Sequence, residues 1–191
     1  MTASEKPILF FSGRRAWLTW LAKNHNDSSG VLIRFAKKGS GVKSLTYEEA
    51  LDVALCYGWI DGQSKSDGAE YWLQKYTPRS KRSIWSKRNR EKALALIESG
   101  QMHRAGLAEV ERAKKDGRWD AAYDSPSNAT VPDDLQAALN ENAKASAFFG
   151  TLDKRNRYAI LWRIHTAKKA ETRARRIRDF VAMLARNEKI H

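Results

Sequence analysis

Hydrophobic side chains in the first part of the chain follow a helical spacing and then a strand spacing. Residues 14–24 place their large apolar side chains on one broad helical face: Trp17, Leu18, Trp20 and Leu21. Residues 31–36 are β-branched or aromatic at every second position, which predicts a strand with one buried face. The short apolar run at 7–11 adds a candidate edge strand.

A helix and a hairpin are predicted next. Thr46 and Glu49 have the spacing of a capping box, in which each side chain accepts a hydrogen bond from the backbone amide of the other residue. The helix that they begin ends at Gly58, because glycine readily adopts the left-handed conformation that closes a helix. Residues 59–62 and 69–76 then predict two strands joined as a hairpin.

From residue 83 onward every predicted element is a helix. Ser86 is a candidate N-cap for the first of them, and Gly100 is its candidate stop. The predicted helices cover residues 87–99, 103–115, a segment that begins at Pro132, 153–167 and 170–186. Before the last two, the two aromatics and the glycine at residues 148–150 predict a hinge.

The order of these elements predicts an α+β fold, in which a small N-terminal sheet with packed helices precedes an all-helical C-terminal segment. The irregular stretch 119–128, with Pro126 and several serines, predicts a domain boundary. We therefore predict three parts: an N-terminal α+β unit at 1–82, connecting helices at 83–125 and a C-terminal helical segment at 126–191.

The formal charge of +13 over 191 residues is the strongest bulk feature of the chain. Excess positive charge attracts polyanions, so an anionic ligand, an acidic protein and nucleic acid are all candidate partners. No apolar run approaches the roughly 18 residues that span a bilayer. The single cysteine, Cys56, lies in an apolar helical context and indicates a buried thiol in a reducing compartment. We expect a cytoplasmic protein without a transmembrane segment.

Residues 75–92 combine aromatics with eight Lys or Arg and one acid. A core cannot enclose so many cations, so we expect them to face solvent. The predicted anion site consists of four cations and the N-capping serine, since a helix N-terminus also favours negative charge: Arg79, Arg82, Lys87, Arg88 and Ser86. A solvated basic face that binds nothing is the alternative.

The longer stretch 57–89 contains a candidate pocket made of Trp59, Asp61, Tyr76, Trp85 and Asn89. Its acid is expected to form an ion pair with Arg79 or a neighbouring cation, with ligand contact as the alternative. The tryptophans at 59, 72 and 85 could stack on a base or a sugar. The favoured interpretation is that they build the core where the sheet meets the helices.

No metal or cofactor is predicted. The four histidines share no ligand spacing, and no metalloprotease, nucleotide-loop or nucleophile-elbow motif is present. The usual enzyme signatures are therefore missing, and no catalytic residue is assigned.

Four motifs carry a resemblance to a known family. They are the runs at 57–62 (YGWIDG), 76–79 (YTPR), 84–89 (IWSKRN) and 167–177 (AKKAETRARRI). In this order and register the chain resembles the YdeI/OmpD-associated family, which is also called the bacteriocin-protection family, over residues 8–185. The resemblance implies a bacterial cytoplasmic protein with an N-terminal α+β part and a C-terminal helical segment. It implies no established catalytic residue.

Three functions are consistent with the sequence. The resemblance favours a non-enzymatic protein that supports resistance to bacteriocins, antimicrobial peptides or envelope stress through an anionic ligand or a protein partner. The first alternative is a nucleic-acid-binding module that uses residues 75–92 and the last helix. The second is an enzyme with a pocket around Trp59, Asp61, Tyr76 and Arg79.

Overall fold

The computed structural model describes residues 6–125 and 128–191, and the chain divides into two compact units, Met1–Ala122 and Tyr123–His191. Pro126 and Ser127, which contributed to the predicted boundary, lie outside the described residues, as do the first five. The finer division into three parts at 82 and 125 stays a prediction. The strands are N-terminal and the C-terminal region is helical, which confirms the predicted α+β class.

The first unit contains a four-stranded sheet and four helices among its described residues. In chain order these elements are β1 (Ile8–Phe10), α1 (Arg14–Asn24), β2 (Val31–Ala36), α2 (Tyr47–Cys56), β3 (Trp59–Asp67), β4 (Tyr71–Pro78), α3 (Lys87–Glu98) and α4 (Arg104–Lys115). The predicted edge strand and hairpin are present. The first hairpin strand is longer than predicted, since it runs on to Asp67.

The strands lie in the order β1-β2-β4-β3. β1 pairs parallel with β2, whereas β4 pairs antiparallel with both β2 and β3. The pairing of β3 with β4 is irregular between Asp61 and Ser64, where β3 contains one residue more than the facing segment of β4 and forms a bulge. The predicted capping box of α2 is confirmed, with the Glu49 amide donating to Thr46 Oγ1 and the Thr46 amide donating to the Glu49 carboxylate.

Two cores share the helix α2. One face of α2 packs with α1 against the sheet in the first core, through Ala50, Val53 and Ala54 of α2, Trp17 and Leu21 of α1, and Val31, Ile33, Phe35, Trp59 and Tyr76 of the strands. The other face packs against α3 and α4 in the second core, through Leu51, Leu55 and Cys56 together with Trp85, Ala93, Leu96, Val110, Ala113 and Trp119. Alternating burial of β2 follows from its pleat, because Val31, Ile33 and Phe35 all point to the first core.

The second unit has four described helices around a third core. These are α5 (Asp133–Asn140), α6 (Ala143–Thr151), α7 (Lys154–His165) and α8 (Ala170–Ala185). The prediction of a hinge at Phe148, Phe149 and Gly150 is wrong, because all three lie within α6. Phe149 is buried in the third core, and this burial outweighs the low helix propensity of the glycine beside it.

The α4 backbone comes unusually close to the end of α2. A Cβ atom at Gly106 would lie 2.7 Å from the Leu55 carbonyl oxygen, and closer still to the Cys56 carbonyl oxygen and the Met102 sulfur. Two of these three atoms belong to backbone that the rest of α2 holds in place. Only glycine fits at this crossing.

We expect Gly106→Ala to lower the free energy of unfolding of the first unit by about 2–3 kcal/mol, because overpacking a fixed contact forces the helices apart. The measurement is urea unfolding followed by circular dichroism. Gly150→Ala is the matched control: it lies in α6 with nothing within 4 Å of the added Cβ, so alanine should stabilise there by roughly 0.5–1 kcal/mol. Equal effects of the two substitutions would contradict the close crossing.

Candidate functional site

Arg79, the first residue of the predicted anion site, is buried. Its side chain is 5% exposed, and its guanidinium lies 3.6 Å from the centre of the Trp85 ring. Nη1 donates to the Ile84 carbonyl oxygen at 3.2 Å, and the Arg79 amide donates to Gly58. The expectation that Arg79 faces solvent is therefore wrong. A planar, weakly hydrated guanidinium stacks on an aromatic ring and tolerates desolvation there, unlike the ammonium group of lysine.

The cations at the start of α3 are largely engaged with α2. Arg88 forms an ion pair with Glu48, and Lys92 Nζ lies 3.0 Å from Glu48 and 2.7 Å from Asp52. Burial acts to raise the pKa of Glu48, but hydrogen bonds from Lys92 and Arg88 lower it overall. These contacts fasten α3 to α2 and neutralise part of the charge in the stretch 75–92.

The remaining members of the predicted anion site are Ser86, Lys87 and Arg82. Ser86 caps α3 as predicted, since the Asn89 amide donates to its Oγ at 3.1 Å. Lys87 and Arg82 are exposed. An anion site at the α3 N-terminus thus stays a prediction that rests on two exposed cations.

The five residues of the candidate pocket do not form one pocket, because three of them lie in two different cores. Trp59 and Tyr76 are buried in the first core and Trp85 in the second, which confirms the interpretation of these tryptophans as core. Asp61 accepts a hydrogen bond from the Tyr47 hydroxyl at 2.8 Å, where an ion pair with a cation was expected. Asn89 is buried at the start of α3. The two cavities described below are lined by other residues.

One cavity, of about 140 Å³, lies in the second unit. We call it the C-terminal cavity. The α7 helix supplies one side of it at helical spacing, with Tyr158, Leu161, Trp162 and His165 on one face. The rest of the lining comes from three other segments: Tyr123 and Asp124, then Ala129, Thr130 and Pro132, and Arg173 of α8.

Three aromatic rings form the wall of the C-terminal cavity. Tyr123 meets Trp162 edge-to-face, with ring centres 4.6 Å apart, and Tyr158 lies 6.0 Å from Trp162. The Tyr158 hydroxyl donates to the Asp124 carbonyl oxygen at 3.2 Å. Burial, with further contributions from Tyr123 and Asp124, raises the pKa of Tyr158 to about 12. The phenol is therefore a neutral hydrogen-bond donor at physiological pH.

Arg173 fixes the cationic side of the cavity. Its Nε and Nη2 donate to the two carboxylate oxygens of Asp134, at 2.6 and 2.8 Å, and Nη1 donates to the Ile164 carbonyl oxygen at 3.1 Å. The hydrogen bonding from Arg173 to the Asp134 carboxylate holds the pKa of Asp134 below its usual range. The fork thus joins the start of α5, the end of α7 and the start of α8.

Sequence reasoning missed this cavity. The signal was present in part, since Tyr158, Trp162 and His165 recur at helical spacing along one face of α7. The other wall could not be found in this way, because Tyr123 and Arg173 are separated from α7 by turns and by other helices. Only the packing of the unit brings them together.

A second cavity, of about 370 Å³, lies in the first unit beside Cys56 and Tyr57. Tyr57 stacks on His103, with ring centres 4.7 Å apart and planes 22° apart. Burial raises the pKa of the Cys56 thiol to about 11, so it is protonated at physiological pH and is a poor nucleophile.

Among residues 6–125 and 128–191 no group of three or more His, Cys, Asp or Glu could hold a metal ion.

Comparison with known proteins divides the chain in a similar way. Residues 9–109, more than half of the chain, match the family model described as Domain of unknown function (DUF8412). The chain belongs to this family. No curated protein and no solved structure matches the DUF8412 chain.

The C-terminal part of the DUF8412 chain matches a second model. Residues 128–187 match the family described as Bacteriocin-protection, YdeI or OmpD-Associated, and this range contains α5 to α8 and most of the C-terminal cavity. The resemblance drawn from the sequence is confirmed for this part. The three motifs at 57–62, 76–79 and 84–89 lie instead in the range of the DUF8412 model. Nowhere in the described chain does a helix have the length and apolar character needed to cross a membrane.

Substitution of the buried Arg79 tests whether this residue has a structural role. We expect Arg79→Ala to lower the free energy of unfolding by about 2 kcal/mol or more, since it removes a desolvated cation–π contact. Arg82→Ala, at an exposed neighbour, should change it by less than about 0.5 kcal/mol. Chemical unfolding of both variants measures the difference. If Arg79→Ala were as stable as the wild type, the stacked cation would have no structural role.

Alkaline titration tests the surroundings of Tyr158. The phenol is neutral in both states below its usual pKa of 10.0, whereas between pH 10 and about 12 the unfolded chain loses the proton and the folded chain keeps it. The contribution of Tyr158 to the free energy of unfolding is therefore lost as the pH rises through that window. We expect the ultraviolet difference titration of wild type minus Tyr158→Phe to centre near pH 12. A midpoint near pH 10 would contradict the buried, hydrogen-bonded phenol.

Proposed function

We propose that this chain is a cytoplasmic binding protein, without catalytic activity of its own, that acts in protection against bacteriocins. Its C-terminal unit binds a small planar ligand that carries a negative charge. The observation that carries the proposal is the aromatic-walled cavity within a unit whose residues 128–187 match the bacteriocin-protection family.

The size of the C-terminal cavity suits a single ring. A cavity of about 150 Å³ lined by apolar side chains holds benzene, and the C-terminal cavity has about 140 Å³. The edge-to-face arrangement of Tyr123 and Trp162 leaves flat ring surfaces for stacking. Leu161 and Pro132 add apolar surface to a lining that also contains polar groups, a combination that small-molecule sites use.

Arg173 offers the cavity hydrogen-bond donors for an anion. Within the described chain, hydrogen bonds to Asp134 and Ile164 use three of the five N–H groups of the Arg173 guanidinium. The others can donate to a carboxylate, which matches the fork geometry of arginine. Thr130 and His165 add further polar groups to the lining. An aromatic carboxylate satisfies both the flat wall and the cationic side.

The charge of the protein limits how it could protect a cell. A chain with a formal charge of +13 repels cationic peptides, so capturing such peptides directly is disfavoured. Protection therefore operates through the bound ligand or through a protein partner that responds to it. The C-terminal cavity is the site at which that ligand binds.

Ligand binding is tested by nuclear magnetic resonance with benzoate as the probe. We expect benzoate to shift the indole N–H resonance of Trp162 with saturation, and benzylamine, a cationic ring of similar size, to bind at least tenfold more weakly. Trp162→Leu keeps apolar volume but removes the flat ring and should lose the saturable benzoate binding. Leu107→Ala, an exposed position on α4, is the control. Equal binding of the two probes would overturn the anionic ligand.

The cellular role is tested separately. A bacteriocin-sensitive bacterium that expresses the wild-type chain should survive a bacteriocin challenge better than the empty-vector strain. Trp162→Leu, expressed to the same level and shown by circular dichroism to be folded, should lose that advantage. Survival unchanged by the wild-type chain would refute the protective role without bearing on benzoate binding.

A further inference from the structure

The sheet of the first unit has two unlike faces. The inner face packs against α1 and α2 in the first core. The strand register places a second set of residues on the opposite face, which we call the outer face: Ile8 and Phe10 of β1, Leu32 and Arg34 of β2, Tyr71, Leu73, Lys75 and Thr77 of β4, and Ile60 and Lys65 of β3. This set mixes apolar and aromatic side chains with cations, and it is exposed in part only, since Leu73 on β4 is buried.

The outer face exposes large apolar side chains to solvent. Ile8 is 49% exposed and Phe10 is 47% exposed, and both are on the short edge strand β1. Phe10 meets Tyr71 edge-to-face, with ring centres 6.5 Å apart. Aromatic side chains at the surface of an open sheet have no role in the core on its other side. They provide ring faces to which a flat ligand can stack.

Cations surround these rings. The Arg34 guanidinium lies 5.5 Å from the centre of the Tyr71 ring and is held by Asp67 at 2.7 Å. Lys75 runs its aliphatic stem past Gly62, since a Cβ built on that glycine would lie 3.5 Å from the Lys75 Cδ. Lys65 is exposed on the neighbouring strand β3. Positive groups therefore lie beside the aromatic pair, on β2, β4 and β3.

We propose that the outer face of the sheet binds single-stranded nucleic acid. Unstacked bases have flat faces that stack on Phe10 and Tyr71, while the phosphates attract Lys65 and Lys75. A duplex hides those base faces, so a single strand is the better match. The overall charge of +13 adds long-range attraction for a polyanion.

This surface differs from the basic stretch at 75–92 that the sequence indicates. In that stretch Arg79 is buried against Trp85, and Arg88 and Lys92 are paired with acids of α2. The outer face has one acid in its ion pairs, Asp67, and retains the lysines of β3 and β4 beside the exposed Phe10 and the half-buried Tyr71. It also lies in a different unit from the C-terminal cavity, so the two proposals stand or fall separately.

Fluorescence anisotropy with labelled oligonucleotides tests the proposal. The probes are single-stranded oligouridine RNA, its DNA counterpart and a duplex DNA of equal length, each at low and moderate salt. We expect both single strands to bind at least tenfold more tightly than the duplex. Phe10→Ala should weaken single-strand binding about tenfold, in the range measured for loss of one base stack. Leu94→Ala, which removes a side chain of equal exposure (48%) from α3, should leave it unchanged.

Charge variants distinguish binding at the outer face from a general electrostatic attraction between the basic protein and the nucleic acid. The double substitution Lys65→Gln with Lys75→Gln should reduce the slope of log affinity against log salt by about 1.4, since each phosphate contact on a single strand contributes about 0.7. The control is Lys23→Gln with Lys144→Gln, which removes the same charge from α1 and α6 and should leave the slope nearly unchanged.

Three outcomes would overturn the proposal. Equal affinity for duplex and single strands would show that the faces of the bases make no contact with the protein. Indistinguishable affinities of Phe10→Ala and Leu94→Ala for a single strand would show that no base stacks on Phe10. Binding to polyglutamate or to anionic phosphatidylserine vesicles as tight as to RNA would make the outer face a surface for acidic proteins or lipid.

Discussion

The α2 helix is buried on both sides, and the first unit depends on that constraint. Trp17 of α1 is fully buried and its indole nitrogen donates to the Ala50 carbonyl oxygen at 3.1 Å, which fixes α1 to α2 over the sheet. On the far side Leu51 and Leu55 pack with α3 and α4. The α2 helix therefore connects the sheet to the helices that follow it, and Gly106 sets how closely α4 approaches.

Short-range patterns predicted the elements of the first unit well. The capping box of Thr46, the cap of Ser86 and the alternation of β2 each depend on residues within a few positions of one another, so the sequence contains the whole signal. The hinge at 148–150 failed because glycine was weighed by its propensity, whereas the neighbouring Phe149 gains more by burial in a helix. Tertiary packing decided that segment.

The environment of the cations could not be predicted from their spacing. Arg79 lies in a basic run, yet it is buried because a tryptophan six residues later folds back under its guanidinium. Arg88 and Lys92 find their acids forty residues earlier, on α2. Pairing over such distances depends on the packing of helices. The C-terminal cavity was missed for the same reason, since Tyr123 and Arg173 meet α7 only in the folded unit.

The two edges of the sheet explain how a face that exposes Ile8 and Phe10 can avoid aggregation. Unpaired edge strands are templates for the growth of aggregates, because their free amides and carbonyls can accept another strand. Here β1 is three residues long, too short to recruit a partner firmly. The opposite edge, β3, is interrupted by its bulge after Asp61 and carries Lys65 beyond it. Both edges thus limit amyloid-like strand addition, although Ile8 and Phe10 on the outer face remain exposed to solvent.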